Sequence, residues 1–172
     1  MRLILDIIGF QLSWWAAALG AAAGRWEPGA AIGALVVLAQ VAASKPRRAT
    51  IAAVGAAASI GLVAETALMA SGLIRYQAVW PAPWLAPVWL IALWMVFGTC
   101  IGATARMLGE RPLMKGALLG ALVAPPTYWA GERFAALSFA QPIWQPLVAT
   151  AVVWAIATPL MLLAYRKALP AS

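Results

Sequence analysis

Five acidic side chains, twelve basic ones and no histidine make up most of the ionisable chemistry of this 172-residue sequence, with three tyrosines and one cysteine besides. Without histidine the commonest general base and the usual zinc ligand are both missing. A single cysteine, Cys100, permits neither an intramolecular disulfide nor a Cys-rich metal site. The residues therefore imply no metal and no cofactor, and any proton transfer falls to carboxylate and phenol. Among the carboxylates Glu65 stands apart. It lies inside Ala49–Leu73, a run with no other formal charge, and it reads as the only charge buried in the middle of an apolar span. A run of that length is a transmembrane candidate, and an ionisable group within one is a functional-site hypothesis by default.

Counting about 1.5 Å per residue from Ala49 puts Glu65 about 24 Å along its helix, in the outer half of a core about 30 Å thick. It shares a stripe with Ala58, Gly61, Leu68 and Gly72, with Thr66 beside it, so it points into a bundle. Three fates are open to it: neutral, paired with a cation, or facing a water-filled cavity. Polar groups at the same depth come from other spans. Tyr128 and Glu132 are four apart and share a face, Arg133 follows, and Pro125-Pro126 free carbonyls of the preceding turn. Arg75, Trp89, Trp94 and Gln145 reach the same level, and Gln11 and Trp14 add polar and aromatic groups from the first span. The expectation is a polar pocket opening outward, with Glu65 at its floor and Arg133 or Arg75 near its mouth. Glu65 and Tyr128 would serve as acid and base, the other eight as ligand contacts.

Each residue has a plainer alternative. Glu65 can be a buried hydrogen-bonding group, Tyr128 and the tryptophans interfacial belt residues, Glu132 and Arg133 solvated loop charges. Gln11 can bond a neighbouring helix, and Thr99, Cys100 and Thr104 their own backbone.

The elements that would position these groups follow from composition. With 65% hydrophobic and 10% charged residues and a mean hydropathy of +0.88, the chain takes the bilayer as its solvent, since soluble domains carry about 25% charge. A net charge of +7 would suit nucleic acid, but the basic residues are scattered in short loops between apolar runs, so no nucleic-acid partner is expected. The predicted fold is all-α, one domain of six transmembrane helices near 3–23, 30–44, 49–73, 88–108, 113–131 and 143–165. The first resembles a secretory signal but is too long and carries Gln11, Ser13, Trp14 and Trp15. Gln77–Pro87, with three prolines, is an interfacial loop, and Pro125-Pro126 cut the fifth helix in its last third. Arg2, Lys45, Arg47, Arg48, Arg106, Arg111, Lys115, Arg166 and Lys167 fall on one side and Arg25, Arg75 and Arg133 on the other. That asymmetry places both termini in the cytoplasm. Small residues four apart (Gly20/Gly24, Gly29/Gly33, Gly55/Ser59, Gly98/Gly102, Gly116/Gly120) offer close helix packing.

Phe10-Gln11-Leu12-Ser13-Trp14, the acid at position 65, Trp89 to Phe97, and Gly120 to Gly131 with Pro126-Thr127-Tyr128 resemble a bacterial inner-membrane family known as domain of unknown function 2878. The resemblance runs over nearly the whole chain. It implies a compact multi-span fold in the inner membrane, no established chemistry, and an acid in the third helix that is usually Asp, so Glu65 reaches one methylene further. It also implies the company of lipid-modifying enzymes.

Three function classes follow. The first is a protein that binds or modifies a lipid or other amphiphile in the outer-half pocket. The second is the capture subunit of a vitamin-type transporter, and the third is a scaffold that docks a partner on Gln77–Pro87.

Overall fold

The computed structural model describes residues 2–170. Six helices account for most of them: α1 (Arg2–Ala22), α2 (Glu27–Ala43), α3 (Arg47–Ala70), α4 (Val88–Leu108), α5 (Pro112–Arg133) and α6 (Trp144–Lys167). Four helices, α1, α3, α4 and α6, are long and apolar enough to cross a membrane. The prediction was six. α2 has 17 residues, about 26 Å at helical rise, short of a core about 30 Å thick. α5 is long enough, but prolines, glycines and terminal charges dilute its apolarity.

Two boundaries moved for physical reasons. Pro28 fits the first turn of a helix, where its missing N–H has no partner to lose, so α2 begins at Glu27 rather than at residue 30. α3 stops at Ala70, and Gly72 takes a φ of +72° that turns the chain back under the helix end. The expected interruption of α5 does not occur. The helix runs unbroken through Pro125 and Pro126. The prolines and the carbonyls they free lie on the half-buried to exposed side of α5, away from Glu65.

The sequence reading also missed two short strands. β1 (Ile74–Tyr76) pairs antiparallel with β2 (Leu137–Phe139), in the register Ile74 to Phe139 and Tyr76 to Leu137. Both have their first and third side chains buried and the middle one exposed. The ribbon thus ties the α3–α4 connection to the α5–α6 connection.

α4 is the hub, packed against α1, α2 and α3, while α5 reaches the bundle chiefly through α6. Glycine lets these helices approach. A Cβ on Gly33 would strike Ala92, one on Gly98 the backbone of Val54, and one on Gly116 the Leu162 side chain. Two expected pairs do not act this way: Gly55 has nothing within 4 Å, and Gly20 meets the Arg25 carbonyl of the following turn and Pro28 at the very start of α2. Connectivity puts the ribbon and the 22–27 turn at one end of the bundle and most basic residues at the other.

Candidate functional site

Glu65 comes from the last turns of α3 and is fully enclosed. The stripe that carries it includes Gly61, on which the Trp94 indole of α4 rests; a methyl there would come within 2.5 Å of the ring. That close approach brings Trp94 Nε1 to Glu65, where it donates to Oε1 at 2.8 Å. Tyr128 of α5 donates its hydroxyl to the same oxygen, and the Tyr76 hydroxyl of β1 bonds Oε2. Trp154 of α6 donates in turn to the Tyr128 hydroxyl at 3.3 Å and stacks on Trp94 with ring centroids 4.2 Å apart. Three helices and one strand therefore meet on a single carboxyl group, and a fourth helix, α6, backs it through Tyr128. A buried polar group of this kind is tolerable only when its partners are supplied, and here three donors supply them.

Next to Glu65, Thr66 Oγ1 accepts the Ala86 amide at 3.1 Å, and Trp89 Nε1 donates to the Gln77 carbonyl at 3.1 Å. These bonds hold the proline-rich loop over the ribbon end.

On the far side of Trp94 and Tyr128 lies a cavity of about 80 Å³. Its wall holds Phe10, Trp14 and Ala18 of α1, Trp89 to Phe97 of α4, Thr127, Tyr128 and Gly131 of α5, Leu137 of β2 and Trp154 of α6. Seven of the residues that line it are aromatic: Phe10, Trp14, Trp89, Trp94, Phe97, Tyr128 and Trp154. α1, α4, α6 and α5 follow one another around it, and α1 and α5 lack extended packing against each other. A gap remains between these two helices. At the ribbon end it is bridged by Phe134, whose ring meets Trp14 and Trp15 edge-on at 5.7 and 5.1 Å. Phe10 and Phe97, 6.5 Å apart, close the opposite end. Aromatic pairs of this geometry contribute about 0.5–1.5 kcal/mol each. Phe134→Ala, which removes two such pairs, should therefore cost about 1–3 kcal/mol in thermal unfolding of the solubilised protein.

The sequence-predicted residues divide into two sets. Glu65, Tyr128, Trp94, Trp89 and Trp14 converge, the first three by direct hydrogen bonds and the last two through the cavity wall. Gln11, Arg75, Arg133 and Gln145 do not join them; all four are exposed. Arg75 is the outward member of β1 between two inward neighbours. Glu132 leaves the Tyr128 face to accept the Phe139 amide at 3.1 Å, fastening α5 to β2. The expected polar pocket with an arginine at its mouth is thus replaced by an aromatic one, and Glu65 sits behind its wall rather than at its floor. Nor is Glu65 the only enclosed acid: Asp6 of α1 is 5% exposed. Near that end Gln40 links α1 and α4, donating to the Leu5 carbonyl and bonding Thr99. Among the described residues no group of three or more metal-binding side chains forms.

Tyr76 and, among the aromatic lining, Phe10, Phe97 and Trp154 are the site residues that sequence reasoning missed. Ile-Arg-Tyr does carry the in-out-in alternation of a strand, but three residues are too few to register against long helices.

A family model described as "Protein of unknown function (DUF2878)" matches residues 3–160, nearly the whole chain. No curated protein and no solved structure matches it.

Proposed function

We propose that this chain, which belongs to the DUF2878 family, binds a membrane amphiphile, a lipid foremost, in the aromatic pocket between α1 and α5. The observation that carries the reading is a cavity with aromatic side chains at half of its lining positions, flanked by two helices, α1 and α5, that lack extended packing against each other. Beside the lining residues, Trp15 on α1 and Val123 on α5 are exposed and apolar, and Gln11 on α1 is exposed with them. That side faces hydrocarbon when the helices stand in a bilayer. A cavity whose Trp94 and Tyr128 turn their polar tips away from it suits a lipid better than a water-soluble, vitamin-type solute, and an open volume suits a ligand better than the filled interior of a pure scaffold.

In this reading Glu65 is a positioning residue. It fixes the Trp94 indole and the Tyr128 phenol, and those two form the wall that a ligand touches. The separation of exposed Arg25, Arg75 and Arg133 from the other basic residues supports a six-span arrangement with both termini in the cytoplasm of a bacterial inner membrane.

Native mass spectrometry of protein released in mild detergent tests the idea. A retained mass in the lipid range is expected, and Leu93→Trp, which fills the cavity from α4, should remove it while costing about 1–3 kcal/mol of stability. Bare protein at every detergent and energy setting would refute the assignment.

A further inference from the structure

Ligand pockets ordinarily combine apolar walls with a few polar groups turned inward to fix the ligand. Here the wall residues that carry polar groups direct them elsewhere. Trp94 Nε1 and the Tyr128 hydroxyl go to Glu65, Trp154 Nε1 to Tyr128, Trp89 Nε1 to the Gln77 carbonyl, and Thr127 Oγ1 to the Val123 carbonyl at 2.8 Å. The first four bonds point into protein and the Thr127 hydroxyl is taken up by its own helix, so the surface left to a guest is mostly carbon. Only Trp14, half-buried on α1 at the open side, lacks an intramolecular acceptor for its indole N–H among the described residues.

We infer that the pocket reads the hydrocarbon tail of its lipid and not the headgroup. A phosphate placed inside would meet no inward-turned hydrogen-bond donor from these wall residues and would lose its hydration, at a cost of several kcal/mol. A chain loses nothing by entering and gains contact with seven rings. The run from Phe10 to Ala18 on α1, and equally from Trp89 to Phe97 on α4, spans about 12 Å along either helix. That is somewhat less than one leaflet, about half of a 30 Å core. The pocket therefore holds the end of a chain, or a kink in one, while the headgroup stays outside near Trp14. An acyl chain and a polyprenyl chain share this chemistry.

The inference rests on the lipid-binding reading, and its test separates the two. Protein in nanodiscs is irradiated with phosphatidylcholine bearing a diazirine near the end of the acyl chain, with the same lipid bearing it on the headgroup, and with a polyprenyl phosphate bearing it near the chain end. Tail-probe labelling, acyl or polyprenyl, at Leu93, Phe97 or Trp154 is expected, and Leu93→Trp should lower it about tenfold, the effect of about 1.4 kcal/mol. Leu93→Ala, which enlarges the cavity, should keep it. Native mass spectra with phosphatidylethanolamine and phosphatidylglycerol of identical chains should show retention equal to within about twofold. Headgroup-probe labelling of Leu93 or Phe97, or a tenfold preference between headgroups on the same chains, overturns the inference and leaves lipid binding intact. No labelling by any probe overturns both.

Discussion

Glu65→Ala is expected to destabilise the protein by about 3 kcal/mol or more, because unpaired buried donors cost about 1–3 kcal/mol each. Tyr76, Trp94 and Tyr128 would all lose their acceptor, and all three are buried. The side chain also leaves a void where α3, α4, α5 and β1 meet. Glu65→Gln should behave very differently. The amide oxygen keeps an acceptor for Trp94 and Tyr128, while the amide nitrogen faces Tyr76, whose hydroxyl hydrogen can swing round so that the oxygen accepts. A loss of about 1 kcal/mol, that of a single altered hydrogen bond, is expected for the amide. Thermal unfolding followed by tryptophan fluorescence measures both, and Trp94 itself reports the change. Equal losses for the two variants would mean that the network matters only for its volume.

The second large effect is at the crossing of α5 and α6, the most extensive helix contact in the bundle. A Cβ on Gly120 would overlap the Trp154 carbonyl and press on Thr158 Oγ1. Thr158 is already strained for partners: its hydroxyl is the one buried side-chain polar atom without a hydrogen bond among the described residues. Gly120→Leu must drive the helices apart, and a penalty of about 3 kcal/mol or more is expected, at the upper end for overpacked interiors. Because Trp154 and Tyr128 sit on these same two helices, the variant should also release any retained lipid. Gly55→Ala is the control. Nothing lies within 4 Å of a methyl at that position, and alanine gains about 1 kcal/mol of helix propensity over glycine. A stable Gly120→Leu, or a damaged Gly55→Ala, would contradict the packing described above.

Much of the architecture was readable because long apolar runs and their punctuation are local properties. α4 was placed to the residue between Pro87 and Gly109, and Glu65 was singled out by charge alone. Direction was not readable. Tryptophan and tyrosine announce a polar tip, and a cluster of such tips around an acid predicted a wet pocket. The same tips, turned toward Glu65 instead, leave a surface of carbon. Which way an indole faces depends on what packs behind it, here a glycine on the neighbouring helix, Gly61. Partners distant along the chain were equally hidden. Tyr76 lies only 11 residues from Glu65 but reaches it through a strand whose other half is β2. Arginine was misjudged for a related reason: Arg75 reaches the right level, yet strand alternation turns it out.

The 63 residues that separate Glu65 from Tyr128 also set a timetable. At ribosomal speeds of about 5–20 residues per second, the phenol is made roughly 3–13 s after the carboxyl. Through that interval the newborn third helix holds an acid whose final shell does not yet exist, and β1 has no strand to pair with. Truncation ahead of α5 would make that interval permanent, and a nascent chain halted there is the form that quality-control proteases of the membrane should recognise first.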